Sequence, residues 1–343
     1  MRKWYANTVS LERSAAITFF LESDFERQHS TTMPRQKTRK YPNIVSHRKK
    51  LRHSPFTIAS CSVANERHPA RNEDSMLLDE RSGVAAVFDG VGGSAAGEIA
   101  SRIAAFATRQ GWEHLLKQLQ KHRRIPSIPE CCDNLNLCAL LQHLLLEADE
   151  QVRTEGARRA GTDDLATTVA LAAFCKQPDT GNYSMVYAHV GDSRVYLLHG
   201  KERLKRLTND DGLLAKLVEN KIVNESEALH IDQAMHANQL SDTELSYFKL
   251  RGGITQALGG PLPPAVHIGY TTIHPGDRIL LCTDGIHDNL VDEEIEAILR
   301  NTPRSSTARA LIEHSILRSH QERSETIRAK PDDMSAIVLT CRY

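Results

Sequence analysis

The 343-residue sequence predicts two packed β-sheets covered by helices, not a doubly wound parallel sheet. Two patterns point there. Short apolar strands come in groups, and amphipathic helices arrive in pairs between the groups instead of alternating strand by strand. Few stretches have the length of a strand-helix-strand crossover. Taken in order, Thr57–Val63 and Ser75–Leu78 read as short strands, and Gly83–Phe88 as a nearly continuous apolar strand ending in Asp89-Gly90. A helix from about Ser94 places Ile99, Ile103 and Phe106 at i, i+4 and i+7. A second, from about Leu135 to Arg153, carries Leu137, Leu140, Leu141, Leu144, Leu145, Ala148 and Val152 on one stripe. Lys121 to Asn134, with two prolines, is the loop between them. Thr167–Phe174, Met185–Val190 and Val195–Leu198 are strands, the last two joined through Gly191-Asp192-Ser193. Residues 212–250 are polar and helical in pattern without a long apolar stripe, as expected of an insertion lying over a sheet. Arg278–Thr283 is an apolar strand ending in Asp284-Gly285. Helices at about Asp292–Arg300 and Ser306–Gln321 and a strand over Ser335–Cys341 complete the chain, which has no internal repeat.

Composition bounds the function. Hydrophobic residues make up 40% and charged residues 25%, ordinary globular usage. Lys+Arg and Asp+Glu are equal at 43 each, so net charge gives no reason to expect nucleic acid or an anionic membrane as partner. The balance hides a split. Residues 1–54 hold 12 basic against 4 acidic residues, leaving 31 against 39 for the rest. Residues 1–54 are therefore expected to form a basic, flexible extension, and 55–343 one domain. No run approaches the roughly 20 apolar residues that span a bilayer. Ala15–Leu21, interrupted on both sides by acidic residues, lacks the features of a secretory leader. Seven scattered cysteines, an odd number, argue for free thiols in a reducing compartment, and a cytoplasmic location is the expectation.

The chemistry is written in carboxylates at strand ends. Val87-Phe88-Asp89-Gly90 and Cys282-Thr283-Asp284-Gly285 share one form; Val190-Gly191-Asp192-Ser193, Asp332-Asp333-Met334-Ser335 and Asn72-Glu73-Asp74 add three more clusters. One Asp-Gly is usually only a turn. Carboxylates gathered where buried strands emerge repel one another and lose hydration, and a hard divalent cation is the remedy. Mg²⁺ and Mn²⁺ prefer such oxygen ligands. Cys-x-x-Cys, His-Glu-x-x-His, Gly-x-Ser-x-Gly and the phosphate-gripping Gly-rich loop are all absent, and the 16 histidines, without ligand spacing, read as mostly surface residues. Metal-activated water remains as the nucleophile.

In order along the chain stand Arg-Asn-Glu-Asp at 71–74, Phe-Asp-Gly-Val-Gly-Gly at 88–93, Val-Gly-Asp-Ser-Arg-Val-Tyr at 190–196 and Leu-Thr-Asn-Asp at 207–210. Gln-Ala-Leu-Gly at 256–259, Cys-Thr-Asp-Gly-Ile at 282–286 and Pro-Asp-Asp-Met-Ser at 331–335 follow. This set, covering about residues 56–343, resembles the metal-dependent protein phosphatases (type 2C), in their compact bacterial style. The resemblance implies an α+β fold, a four-layer α-β-β-α sandwich of two antiparallel sheets flanked by helix pairs. It implies hydrolysis of phosphoserine and phosphothreonine in proteins by a hydroxide bridging two Mn²⁺ or Mg²⁺ ions. Asp89 is then the bridging ligand, with the Gly90 carbonyl on one ion and Asp284 and Asp332 on the other. Glu73 and Asp74 hold metal-bound waters, and Asp192, with Asp284 and Asp288, matches the ligands of a weaker third ion. Asp288, one helical turn beyond Asp284, faces the same side. Residues 212–250 stand in the place of the family's variable flap. The implied partners are phosphorylated proteins and a Ser/Thr kinase sharing those targets, with the chain acting as a monomer.

Three departures qualify the match. Many relatives carry a phosphate-gripping arginine five residues before the equivalent of Asp74; Pro69 stands there, leaving Arg67 and Arg71 as candidates, with Arg67 preferred. Val91 replaces the histidine of eukaryotic members. Gly161-Thr162-Asp163-Asp164 alters a Gly-Thr-Thr motif, and its carboxylates, like Asp210-Asp211, are expected to be solvated loop groups. The missing arginine motivates a second reading, a catalytically silent phosphoprotein-binding scaffold of the same fold.

Overall fold

The computed structural model describes residues 54–91, 96–120, 127–130 and 133–342. The expected basic extension over 1–54 lies almost wholly outside the described residues, as do the Gly92-Gly93 pair and Cys131-Cys132.

The first three strands are β1 (Phe56–Val63), β2 (Asp74–Asp79) and β3 (Val84–Val91). Two helices follow, α1 (Ala96–Leu119) and α2 (Asn134–Gln151), the second running on through a π turn at Val152–Gly156 into the short α3 (Ala157–Ala160). Next come β4 (Ala166–Thr167), β5 (Val169–Lys176), β6 (Tyr183–Val190), β7 (Arg194–Leu198) and β8 (Lys205–Arg206). The insertion holds α4 (Leu213–Glu219), α5 (Glu225–Gln233) and α6 (Asp242–Phe248). The chain then runs through β9 (His267–Ile273), β10 (Arg278–Cys282), α7 (Asp284–His287), α8 (Asp292–Asn301), α9 (Thr307–Ser319) and β11 (Met334–Cys341).

The strands form two sheets, in the orders β1-β11-β10-β7-β8 and β2-β3-β5-β6-β9, with β4 on the end of β3 and every pairing between strands antiparallel. Alternation along β3 shows why it is buried throughout. Val84, Ala86 and Phe88 join Ala100, Ala104, Trp112 and the leucines of α2, while Ala85 and Val87 face Leu281, Ile337 and Leu339 of the other sheet. A third core sets Leu280, Ala336 and Val338 against Ile295, Leu299 and Leu311 of α8 and α9. Three apolar interfaces make four layers, α-β-β-α, as the resemblance implies.

Three local differences from the sequence reading have physical causes. Phe106 is 58% exposed, because α1 turns its small residues Ala100 and Ala104 to the sheet and packs closely there. The strand expected over Thr167–Phe174 is broken at Thr168 into β4 and β5, where the Thr167 amide turns away to the Leu258 carbonyl while the Thr168 amide bonds the Asp89 carbonyl of β3. β9 was missed: it is an edge strand, buried only at Ile273, and has no clean alternation to read. The insertion helices are short and polar as expected; α5 and α6 begin with capping boxes, Asn224 with Glu227 and Ser241 with Glu244, which supply local order in place of an apolar stripe.

Candidate metal centre

β2 and β3 are paired so that Asp74 stands directly opposite Asp89, which puts their side chains next to each other on one face. Both are buried, Asp74 at 6% and Asp89 at 5% exposure. The other sheet enters through Thr283, the last residue before α7. Its Oγ donates to Asp74 Oδ2 at 2.8 Å and accepts from the Ser335 amide at 3.0 Å. Asp284 is therefore brought beside Asp74, although 210 positions separate them. The loop before β11 is tied in by Asp333, whose two oxygens accept the backbone amides of Asn65 at 2.6 Å and Glu73 at 2.8 Å. That clamp fixes Asp332 and Glu73 at the same end of the sandwich.

Gly90 shows how tight the packing is. Its amide donates to the Glu73 carbonyl at 3.0 Å, and a Cβ there would lie 2.2 Å from the Gly97 carbonyl oxygen at the start of α1. Only glycine admits this approach of backbone to backbone. The Asp89 carbonyl is held by the Thr167 hydroxyl and the Thr168 amide, each at 2.9 Å, leaving the carboxylate as the group that reaches outward.

Asp284 opens α7 and Asp288 follows one turn later, its amide bonding the Asp284 carbonyl at 2.8 Å. The two carboxylates share a face, as expected. Lys330, a residue the sequence reading did not single out, binds both: its Nζ lies 2.7 Å from Asp284 Oδ2, touches Asp288 Oδ2, and is 3.3 Å from Asp332 Oδ2. Asp288 also receives Arg251 at 2.6 Å. Asp192 is buried at 3% exposure, and its carbonyl accepts from the buried His287 ring at 3.0 Å. Asp74, Asp89, Asp192, Asp284, Asp288, Asp332 and Glu73 are thus linked at one end of the two sheets.

The electrostatics follow from burial. Burial pushes the Asp74 carboxyl well above the usual carboxylate range, and Thr283 offsets only part of that. Glu73 is raised by desolvation against the pull of Arg71. For Asp288 burial acts upward too, but Arg251 and Lys330 outweigh it and hold the carboxyl well below its ordinary value. Burial lowers His287 to about 4, so it is neutral and serves as a hydrogen-bond donor. Asp74 Oδ1 is buried and has no hydrogen-bond partner. A buried oxygen in that condition, amid hard oxygen donors and no thiolate, fits a divalent cation of the Mg²⁺ or Mn²⁺ kind.

Among the described residues, three groups bring metal-type donors within 4.8 Å of one another: His189-Asp211-His267, His199-His274-Asp277 and His68-Glu73-Asp333. Asp284, Asp288 and Asp332 gather instead around Lys330 Nζ. In the first group the imidazoles stack at 4.9 Å with planes 24° apart, so their in-plane lone pairs do not converge on one ion.

Other expectations can be placed. Asp163 and Asp164 are exposed, as expected of solvated loop groups. Asp210 is different: it pairs at 2.6 Å with Arg194, which is 1% exposed. Arg67 is exposed, whereas Arg71 is half-buried with its guanidinium 3.5 Å from Glu73 Oε1. The five described cysteines are free thiols. His189 and His287 are buried, against the expectation for most histidines, because each ring bonds a backbone carbonyl. No helix among the described residues is long and apolar enough to cross a membrane.

A two-sheet sandwich flanked by helix pairs, with carboxylates gathered at the strand ends, is the arrangement expected of a metal-dependent phosphatase. The family model described as Protein phosphatase 2C matches residues 63–332, and the chain belongs to that family. The serine/threonine protein phosphatase PstP of Mycobacterium tuberculosis is 27% identical over 257 residues, covering 71% of this chain and 39% of the relative. The chain thus matches well under half of that relative's length. The crystal structure of the M. tuberculosis phosphatase PstP/Ppp shares the fold at a TM-score of 0.61 and 24% identity, covering 84% of this chain and 99% of the other. The PstP catalytic domain in complex with two manganese ions matches at a TM-score of 0.57 and 25% identity, over 84% and 99%. The family depends on Mn²⁺ or Mg²⁺.

Proposed function

We propose that the chain hydrolyses phosphoserine and phosphothreonine in proteins. The supporting observation is that Asp284 and Asp332 both meet Lys330 Nζ, while the Thr283–Asp74 and Asp333–Glu73 hydrogen bonds tie the paired Asp74 and Asp89 to the same end of the sandwich. Asp89, the Gly90 carbonyl, Asp284 and Asp332 would hold two Mn²⁺ or Mg²⁺ ions, Glu73 and Asp74 would hold metal-bound water, and Asp192 with Asp288 would contribute to a weaker third site. When bound, the ions supply Lewis acidity that activates water as a nucleophile and offsets charge on the phosphate oxygens.

The chain's own groups do the rest. Burial raises the Asp74 carboxyl beside Asp89, so a cation that offset the charge of the pair would relieve a cost the fold otherwise carries. Arg71 is the better placed of the two arginines to grip the substrate phosphate, since Glu73 holds its guanidinium at the cluster while Arg67 points to solvent. The substrate-facing surface is shaped by the insertion over 212–250. Phosphorylated proteins are the partners, a Ser/Thr kinase acts on the same targets, and the enzyme works as a cytoplasmic monomer without nucleic acid; the named activity of PstP supports the phosphoprotein substrate.

The test is hydrolysis of a phosphothreonine peptide by the purified chain with Mn²⁺, with and without chelator. Chelator-sensitive release of phosphate is expected. A folded, Mn²⁺-saturated chain that releases none would refute the proposal.

A further inference from the structure

Lys330 has no part in the roles above, yet it sits at the electrostatic centre of the cluster. Its backbone is fixed: the Lys330 amide donates to Asn289 Oδ1 at 3.1 Å, and Asn289 Nδ2 donates to the Lys330 carbonyl at 2.9 Å. Asn289 is fully buried and also donates to the Gly285 carbonyl at 2.9 Å, so the lysine is clamped to the helix that carries Asp284. From there the side chain reaches the carboxylates of Asp284, Asp288 and Asp332. An ammonium has three N–H donors and here meets three carboxylates.

We propose that Lys330 is a tethered cation that competes with metal for Asp284 and Asp332. The inference rests on the metal-binding reading of those aspartates. A divalent ion binding these oxygens stands about 2.0–2.6 Å from them, within van der Waals distance of an ammonium bonded to the same atoms. Two cations at that separation repel, so the lysine must swing away before the ion is fully bound. Its 35% side-chain exposure leaves a route to solvent. While the lysine is in place it offsets carboxylate charge and joins α7 to the loop before β11; on metal binding that work passes to the ion. The apparent metal affinity is thereby lowered by the strength of the lysine's own contacts. One or two hydrogen bonds between charged groups correspond to roughly a ten- to hundredfold loss.

The experiment is calorimetric titration of Mn²⁺ into the full chain and its Lys330→Met variant, with thermal unfolding of each in chelator. Lys330→Met is expected to bind Mn²⁺ at least tenfold more tightly and to melt at a lower temperature than the parent when metal-free. Lys330→Gln, which keeps hydrogen bonding and loses the charge, replaces Lys330→Met if the latter does not fold. Unchanged or weaker Mn²⁺ binding in the lysine variant overturns the proposal. Asp284→Asn separates the two readings. If it abolishes tight Mn²⁺ binding while the lysine variant binds as the parent does, the metal site stands and the competing lysine falls; if it binds as the parent does, the metal assignment falls and the competition with it.

Discussion

Asp232 sits in α5 of the insertion at 4% exposure and faces three guanidiniums, Arg194 at 3.2 Å, Arg206 at 3.2 Å and Arg251 at 3.6 Å. Burial alone would raise its carboxyl; the arginines, led by Arg194, overcome that and hold it far below the carboxylate range. Asp232→Asn keeps the shape and removes the charge. Arg194 would retain Asp210, and Arg251 would retain Asp288, but one buried positive charge loses its offset. Removing one partner of a buried pair costs about 3–5 kcal/mol. At roughly 2–4 °C per kcal/mol for a domain of this size, the melting temperature should fall by about 6–20 °C. The assay is thermal and urea unfolding in chelator, so that bound metal does not contribute. The sign of the pH effect follows from the depressed folded value: the contribution is complete above the unfolded value, near pH 4, and fades as pH falls further. The gap between parent and variant should therefore be constant from pH 5 to 8 and narrow below pH 4. A loss under about 1 kcal/mol at neutral pH, or a gap that persists undiminished into acid, would refute the reasoning.

Three further outcomes are expected. Asp89→Asn and Asp284→Asn should each lower kcat by several orders of magnitude with the fold intact by circular dichroism, since each removes a metal ligand; near-normal turnover in either contradicts the ligand set. Gly90→Ala should destabilise the chain by about 1–3 kcal/mol or more, because the added Cβ meets the Gly97 carbonyl and neither backbone can retreat cheaply; an unfolding midpoint equal to the parent's would show that the contact is soft. Arg71→Ala should raise KM for a phosphothreonine peptide more than Arg67→Ala does, and the reverse order would reassign the phosphate grip to Arg67.

What could be read from the chain and what could not divide along physical lines. The strand-end aspartates were legible because an apolar run that stops at Asp-Gly marks where a buried strand reaches its first carboxylate, although β3 itself stays buried to Val91. The α2 stripe was legible because seven apolar positions repeat over successive turns. Phe106 misled because hydropathy favours a large ring over the alanines that let α1 lie close to the sheet. The Arg194–Asp232 pair joins residues 38 apart through an insertion with no apolar signature, and nothing local marks it. Lys330 gave no signal either: a lysine before Pro-Asp-Asp reads as a solvated loop residue until Asn289 is seen to clamp its backbone.

Arg251, at the end of the insertion, joins two charge arrays. One guanidinium nitrogen faces Asp232 of α5 and the other bonds Asp288, whose second oxygen takes Lys330. The insertion is therefore held on the sandwich through the same carboxylate that borders the metal ligands. Arg328 reinforces the join, donating to the carbonyls of Asp232 and His287 from a fully buried position. Buried arrays of this kind respond as units, because a charge removed at one point changes the offset at the next. Lys330 and Arg251 share Asp288, one on each of its carboxylate oxygens. The carboxylate cluster at the strand ends and the seating of the insertion are in this way joined in one electrostatic arrangement.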